Sequence, residues 1–176
     1  MALDPARAAD AEAVVSLVES AFRGEPSRLG WTTEADLLGG RRTGADEIQG
    51  ILDDPDQALL LRRDRAGALE ASVVLRRETE LCWLGMLAVK PALQDRGIGR
   101  QVLAEAEAWA QAHWGSRRMR MSVIAQRGEL ISWYERRGYR LTGDRKAFFY
   151  GDPRFGEPRR GDLFFVLMEK TLPPIA

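Results

Sequence analysis

The sequence predicts an α+β fold, with one domain built around a single mixed sheet. Its 176 residues are enough for one domain with a substantial core. Helical periodicity marks the N-terminal part, hairpin-like apolar segments follow, and the chain then alternates strand, helix, strand, helix and strands. No internal repeat or low-complexity tract interrupts this order, so we treat residues 1–176 as one unit.

The N-terminal part is predicted to be mainly helical. Apolar residues recur at helical spacing over residues 11–22, which gives that helix one apolar face. Gly and Pro in residues 23–30 indicate a loop. Two short helices are expected next, one ending at Leu38 and one over residues 45–52.

Strands and two further helices are predicted for the rest of the chain. The expected strands span residues 58–63, 68–77, 79–89, 118–125, 146–150 and 163–170. The third is almost wholly apolar, as is typical of a central strand covered on both faces. Helices are expected at about 97–114 and 129–137. Only Met1 to Leu3 are available for a strand before the first helix.

Composition excludes several classes of function. Lys and Arg number 26 and Asp and Glu number 26, so the net charge is zero and no nucleic-acid partner is expected. One cysteine, Cys82, and one histidine, His113, predict no metal site. Cys82 lies in an apolar strand and is expected to be an inert thiol rather than an acyl relay.

Targeting signals are also missing from the sequence. The longest run of apolar and glycine residues, Leu81–Val89, is too short to span a bilayer, so no membrane partner is expected. The first ten residues do not have the pattern of a signal peptide. We therefore expect a cytoplasmic protein.

The segment between the third strand and the long helix is the most informative about chemistry. Gly97 and Gly99 stand at a helix start, where unpaired N–H groups and the helix dipole favour a phosphate. Glycine lets a diphosphate approach the backbone, and Arg96 and Arg100 add positive charge. Two nucleotide motifs do not fit: a Gly-Lys-Ser/Thr ending is absent, and Val102 occupies the place of a third glycine.

A second motif lies at the end of the last predicted helix, where residues 133–139 read Trp-Tyr-Glu-Arg-Arg-Gly-Tyr. With Gln94, Gly97 and Gly99, it resembles the GNAT superfamily of acyl-CoA N-acyltransferases. The patterns of that family are Gln/Arg-x-x-Gly-x-Gly/Ala and Leu-Tyr-x-x-x-Gly-Phe. The resemblance covers most of the chain and implies a mostly antiparallel mixed sheet of about six or seven strands, with helices on both faces. Arg127 departs from the family, which often has asparagine there.

The resemblance implies acetyl-CoA, or another short acyl-CoA, as cosubstrate. Its diphosphate would lie on the turn formed by Gln94, Asp95, Arg96, Gly97, Ile98, Gly99 and Arg100. Its pantetheine arm would follow the strand end Leu87, Ala88 and Val89, where the N–H of Leu87 or Ala88 would stabilise the thioester oxygen. Tyr134 would border the cosubstrate and serve as general acid toward the departing thiolate.

The acceptor is expected to be an amine that attacks the thioester directly in a ternary complex. Family analogy, together with the side chains of the central strand, suggests the acceptor residues Trp31, Glu34, Trp83, Gly85 and Phe155. Glu34 and Glu80 are the candidate general bases, and a chain of water molecules is the alternative. The arginines of residues 154–160 either bind an anionic group or form a solvated surface.

Three functions stay open at the level of sequence. The first is a small-molecule N-acetyltransferase, which the lack of an additional module favours. The second is acetylation of a protein lysine or N-terminal amine. The third is a non-catalytic acyl-CoA sensor, which would not need the hydroxyl of Tyr134. Dimers are common in the family, so a homodimer is a further expectation.

Overall fold

A seven-stranded mixed sheet organises the computed structural model, which describes residues 3–174. The strands in chain order are β1 (Asp4–Pro5), β2 (Leu38–Gly39), β3 (Gln57–Arg63), β4 (Leu69–Glu78), β5 (Leu81–Val89), β6 (Arg118–Ile124), β7 (Arg140–Ala147), β8 (Glu157–Pro158) and β9 (Phe164–Thr171). The main sheet has the order β1-β3-β4-β5-β6-β9-β7, and β2 pairs with β8 separately. Within the main sheet only β5 and β6 are parallel, which confirms the predicted mixed, mostly antiparallel sheet.

Helices cover both faces of this sheet. They are α1 (Ala11–Phe22), α2 (Gly24–Ser27), α3 (Ala45–Asp53), α4 (Ile98–Trp114) and α5 (Gly128–Glu135). Side chains alternate along β3, so Leu59 and Leu61 pack with α1 and α3 while Leu60 packs with α4. The apolar stripes of the helices thus bury the two faces of one sheet, as the sequence predicted.

Two N-terminal predictions need correction. The helix expected to end at Leu38 is not formed, because residues 35–37 make a turn and Leu38 pairs with Pro158 in the small sheet. The loop expected over residues 23–30 contains the four-residue helix α2. The first strand is β1, just after the predicted Met1 to Leu3, of which Met1 and Ala2 lie outside the described residues.

The strand expected over residues 146–150 is instead β7, which begins six residues earlier. All eight side chains of β7 are exposed, so no apolar alternation marks it in the sequence. The apolar residues that suggested a strand have another role: Phe148 is buried, with its ring centroid 5.6 Å from that of Phe165.

The central parallel pair separates soon after it begins. Strands β5 and β6 pair only from Leu81 to Trp83, opposite Arg118 to Arg120. Beyond Trp83, the edge of β5 that faces β6 has no strand partner among residues 3–174. This divergence opens a gap in the middle of the sheet.

A β-bulge lies in β5 beside this gap. Because the register shifts between Ser72 and Val74, two residues of β5, Met86 and Leu87, face Val73 alone. Met86 has φ 44°, which is uncommon for a residue other than glycine. A bulge disrupts the regular ladder and re-aims the local backbone, so Leu87 is free of the ordinary strand geometry.

No helix within residues 3–174 has the length and apolar character that crossing a membrane requires.

Candidate active site

The gap between β5 and β6 forms part of a cavity of about 1590 Å³. This volume exceeds the roughly 300–1,000 Å³ of ordinary small-molecule pockets, so it can hold two molecules together. Its walls come from β5 and β6, the turn before α4, helix α5, and the segments after α1 and after β7. The predicted cosubstrate and acceptor regions therefore border one cavity.

The turn of residues 94–100 presents unpaired backbone amides. The first intrahelical bond of α4 runs from the N–H of Gln101 to the carbonyl of Gly97, at 3.1 Å. Within the described chain, no amide of residues 95–100 donates to another backbone group. Asp95 and Gly97 have φ of 62° and 78°, which bends the chain just before the helix. This geometry suits an anion at the N-terminus of a long helix.

The two glycines of the turn have different surroundings. A Cβ on Gly97 would meet nothing within 4 Å, so the position opens toward free space. A Cβ on Gly99 would lie 3.4 Å from the ring of Trp133, so Gly99 lets α4 and α5 approach closely. The first glycine leaves room for a ligand, and the second serves packing.

Most of the predicted cosubstrate residues line the cavity. These are Leu87, Val89, Gln94, Asp95, Gly97, Gly99, Arg100 and Tyr134. Ala88 and Ile98 are instead buried in the core, and the side chain of Arg96 is exposed outside the cavity. For Arg96 and Ile98, the expectation concerned backbone amides, which belong to the same turn.

Sequence reasoning missed Arg137, which lines the cavity near the turn. Its guanidinium lies 3.6 Å from the ring centroid of Trp133. Burial lowers the pKa of Arg137, and repulsion from Arg136 and Arg100 adds to this effect. Arg100 and Arg137 are therefore close enough to repel, and they place two positive charges beside the unpaired amides.

Gln94 connects the turn to the segment after α1. Its side-chain N–H donates to the carbonyl of Val89 at 3.1 Å, and its oxygen accepts from the N–H of Trp31 at 3.0 Å. The Trp31 ring stacks against Trp133, with centroids 6.2 Å apart. These contacts bring the predicted acceptor residue Trp31 to the cosubstrate region.

Tyr134 is buried in α5 and borders the cavity. Its ring makes edge contacts with Trp133 and Tyr139, at centroid distances of 5.0 and 5.6 Å. The Tyr139 hydroxyl donates to Glu107 at 2.9 Å, whereas that of Tyr134 has no hydrogen-bond partner within residues 3–174. Burial raises the pKa of Tyr134 to about 12, although Arg127 and Arg137 oppose this effect. The phenol is thus protonated at neutral pH and has a free O–H.

Glu34 is buried between two arginines. One carboxylate oxygen accepts from Arg23, and the other accepts from Arg127 at 2.9 Å. Burial alone would raise the pKa of Glu34, but Arg127, Arg42 and Arg23 together hold it below its ordinary value. Glu34 lines the cavity, yet a carboxylate with a lowered pKa is a poor proton acceptor.

The other predicted acceptor residues are divided between the cavity and the outer surface. Gly85 and Phe155 line the cavity, and Phe155 stacks on Phe149 at 4.3 Å between centroids. Trp83 does not line it, and three cations lie over its ring instead. Glu80 is exposed on the turn before β5, 3.5 Å from Arg117, away from the cavity.

The buried arginines Arg23 and Arg127 are further cavity residues that sequence reasoning missed. Arg127 had a signal, because it replaces the asparagine that is frequent in the family. Arg23 had none, because one arginine after a helix looks like any surface residue. Within residues 3–174, no group of three His, Cys, Asp or Glu side chains is placed to hold a metal ion.

The fold is shared with known N-acetyltransferases. The ribosomal-protein-S18-alanine N-acetyltransferase from Escherichia coli superimposes with a TM-score of 0.71 at 13% identity, over 99% of this chain and 95% of that one. Mutant forms of the spermidine/spermine N-acetyltransferase from Vibrio cholerae give 0.67 at 12% identity, over 97% and 93%. A GNAT family acetyltransferase from Elizabethkingia anophelis with acetyl-CoA bound gives 0.58 at 20% identity, over 73% and 84%.

The sequence assigns the family itself. The model of the acetyltransferase (GNAT) family matches residues 17–139, which is more than half of the chain. The chain therefore belongs to the GNAT acetyltransferase family, and the resemblance predicted from the two motifs is confirmed. No curated protein sequence shows significant similarity to the chain.

Proposed function

We propose that the protein transfers an acetyl or other short acyl group from acyl-CoA to the amine of a small molecule. One observation carries this proposal: a single cavity is bordered by the unpaired amides of residues 95–100, by the unpartnered edge of β5 and by the free hydroxyl of Tyr134. The acetyl-CoA bound to the Elizabethkingia anophelis relative and the spermidine/spermine named for the Vibrio cholerae enzyme support it.

The turn before α4 would hold the diphosphate of the cosubstrate. Its amides would donate to phosphate oxygens, with Arg100 and Arg137 adding positive charge. The open position at Gly97 fits a group of this size. The free edge of β5 would pair with the amide groups of the pantetheine arm, and the N–H of Leu87 or Ala88 would face the thioester oxygen.

The acceptor nitrogen would attack the thioester carbonyl carbon directly. A C–N bond forms, the C–S bond breaks, and the thiolate leaves with the electron pair of that bond. The N–H of Leu87 or Ala88 would stabilise the transient oxyanion, since the bulge re-aims this part of β5. Neither Glu34 nor Glu80 is suited to take the amine proton, so we assign that step to water in the cavity.

Tyr134 would act on the leaving thiolate as a hydrogen-bond donor. With its pKa at about 12, complete proton transfer to a thiolate of pKa about 8.5 would be uphill by roughly 5 kcal/mol. Donation without complete transfer still stabilises the thiolate, because hydrogen bonds to charged groups contribute about 1.5–3 kcal/mol. This role refines the general-acid role expected from the sequence.

Thiol release from acetyl-CoA with a panel of small amines tests the proposal. We expect Tyr134→Phe to lower kcat roughly 10- to 100-fold, from the lost hydrogen bond, while the Kd for CoA is almost unchanged. Tyr139→Phe is the matched control, because it removes the same hydroxyl from a neighbouring ring whose O–H is engaged by Glu107. Equal kcat values for wild type and Tyr134→Phe, with chemistry rate-limiting, would refute the role of Tyr134.

The same assay separates the alternative functions. If no small amine releases thiol but labelled acetyl-CoA marks proteins of a lysate, the acceptor is a protein. If CoA binds but no acceptor of either kind is acetylated, the protein is a sensor. A cytoplasmic location and a homodimeric state stay predictions.

A further inference from the structure

A cluster of buried arginines borders the acceptor side of the cavity. Arg23 and Arg127 are 6% and 5% exposed, and both line the cavity. They bind opposite oxygens of one carboxylate, Glu34, which is 7% exposed. Arg127 also donates to the Thr32 hydroxyl at 2.8 Å. We call Arg23, Glu34 and Arg127 the arginine cluster.

The arginine cluster carries more positive than negative charge. Two guanidinium groups share one carboxylate, and Arg42 is near enough to act on the pKa values of both Arg23 and Glu34. The carboxylate of Glu19 also acts on Arg23, but it accepts the backbone N–H groups of Arg42 and Thr43, at 2.5 and 2.8 Å. One positive charge is therefore left without a full partner.

Several guanidinium donors in the cluster are unused. The Nε atoms of Arg23 and Arg127 are buried and have no hydrogen-bond partner within residues 3–174, and Nη2 of Arg23 forms no hydrogen bond there either. Asp46 and Glu47 also line the cavity, but both are exposed and neither pairs with these arginines. A buried charge is normally paired, and buried donors are normally satisfied.

A purely structural role does not require both arginines. One guanidinium on Glu34 would suffice to fasten the segment after α1 to the start of α5. The second adds a buried cation next to empty space, which is unfavourable unless an anion fills that space. The cluster also lies near the proposed transfer point, because the charge of Arg127 is felt at Tyr134.

We propose that the acceptor amine also carries a carboxylate, which binds to Arg23 and Arg127 while the amine faces the thioester. The class is therefore amino acids, in which an amine and a carboxylate belong to one small molecule. This inference rests on the proposed acyl transfer. A guanidinium matches a carboxylate through two parallel N–H···O bonds, so unused donors on two arginines provide a specific site for this group.

The experiment compares each amino acid with its own carboxamide. The panel holds α- and ω-amino acids of increasing chain length, each measured beside the neutral amide that keeps the same amine. For at least one pair, we expect kcat/KM to be roughly tenfold or more higher for the acid, because a charge-assisted bond is lost in the amide. Ratios near one for every pair would overturn the inference while leaving acyl transfer intact.

Two variants show whether the cluster causes the preference. Arg23→Gln and Arg127→Gln should each reduce the acid-to-amide ratio severalfold or more, whereas general damage would lower both rates equally and overturn the assignment. Arg62→Gln is the matched control, because Arg62 is a half-buried arginine paired with Glu70 at 3.1 Å outside the cavity. If a glutamine variant does not fold, Arg23→Lys and Arg127→Lys replace it, since they keep the charge but lose the planar fork.

A binding measurement separates this inference from the proposed function. If no amine releases thiol, acyl transfer is refuted, and calorimetric titration of the CoA-loaded protein with the same panel still decides the present point. Binding of an acid but not of its amide, weakened in Arg127→Gln, supports a carboxylate site. Equal binding of acids and amides refutes it.

Discussion

The two halves of the cavity use different parts of the chain to form their sites. In the cosubstrate half, the recognition groups are mainly backbone: the amides of residues 95–100 and the free edge of β5. In the acceptor half they are side chains, including the arginine cluster, which comes from two distant segments. A backbone site depends on local glycines and a helix start, whereas a side-chain site depends on where the fold brings its members together.

This difference predicts that a change of charge in the acceptor half has the largest effect on stability. Glu34→Gln keeps the shape of the side chain but removes the carboxylate that Arg23 and Arg127 share. Breaking a buried ion pair from one side costs about 3–5 kcal/mol, so we expect a loss of this size in the free energy of unfolding. Chemical denaturation at pH 7 measures it. The control Glu70→Gln removes an ion-paired carboxylate outside the cavity and should cost about 1 kcal/mol or less.

The pH dependence sharpens the same prediction. The pKa of Glu34 is lowered in the folded protein, so its contribution to stability is complete above its unfolded pKa of about 4.3. That contribution is lost as the pH falls through the folded pKa. The stability difference between wild type and Glu34→Gln should therefore be constant from pH 6 to 8 and shrink in acid. A difference that grows below pH 4 would contradict the lowered pKa.

In the cosubstrate half, we expect the largest effect from Gly97→Glu. The new side chain would extend into open space with a negative charge where the diphosphate is proposed to bind, so CoA should bind roughly 100-fold or more weakly. Gly67→Glu is the control, because Gly67 has a similar φ of 86°, equally open surroundings and a position on a turn outside the cavity. Isothermal titration calorimetry with CoA compares them. Normal CoA binding by folded Gly97→Glu would refute the phosphate site.

A smaller effect is expected where the two halves meet. A Cβ on Gly30 would lie 2.2 Å from the side-chain oxygen of Gln94, so Gly30→Ala must displace that side chain from both Trp31 and Val89. Losing two neutral hydrogen bonds should lower stability by about 1–2 kcal/mol. Gly50→Ala is the opposite control, because its site in α3 is open and alanine favours a helix. Thermal unfolding should move in opposite directions for the two variants.

The smallest effect is expected from Cys82, which does not line the cavity. Burial raises the pKa of its thiol to about 12, so it holds almost no nucleophilic thiolate at neutral pH. Cys82→Ala should change kcat by less than about twofold, and no acyl group should be found on the protein after incubation with labelled acetyl-CoA. A labelled Cys82 peptide would contradict direct attack.

The contrast also explains what the sequence could predict. Elements with an apolar stripe or a buried strand pattern, such as α1, α4, β5 and β9, match their predicted ranges to within two residues at each end. The 94–100 turn was identified because its glycines and its position before a helix are visible locally. The exposed edge strand β7 was misplaced, because solvent on both sides leaves no periodicity to detect.

The acceptor half was only partly predictable for a related reason. Trp31, Glu34, Gly85 and Phe155 were placed by family analogy, and all four line the cavity. Glu80 and Trp83 were chosen by residue type, but position along a strand does not tell which end or face meets the cavity. The pairing of Glu34 with Arg127 joins residues 93 positions apart, so only the folded chain reveals that this carboxylate is engaged.

The short parallel ladder between Leu81–Trp83 and Arg118–Arg120 has a mechanical consequence. Backbone pairing joins the block β1-β3-β4-β5 to the block β6-β9-β7 only through these three residues of each strand. A molecule seated in the gap therefore acts as a brace between two blocks that are otherwise stitched at one end. Its presence would be recorded as slower hydrogen–deuterium exchange along β6, beyond the atoms that it touches.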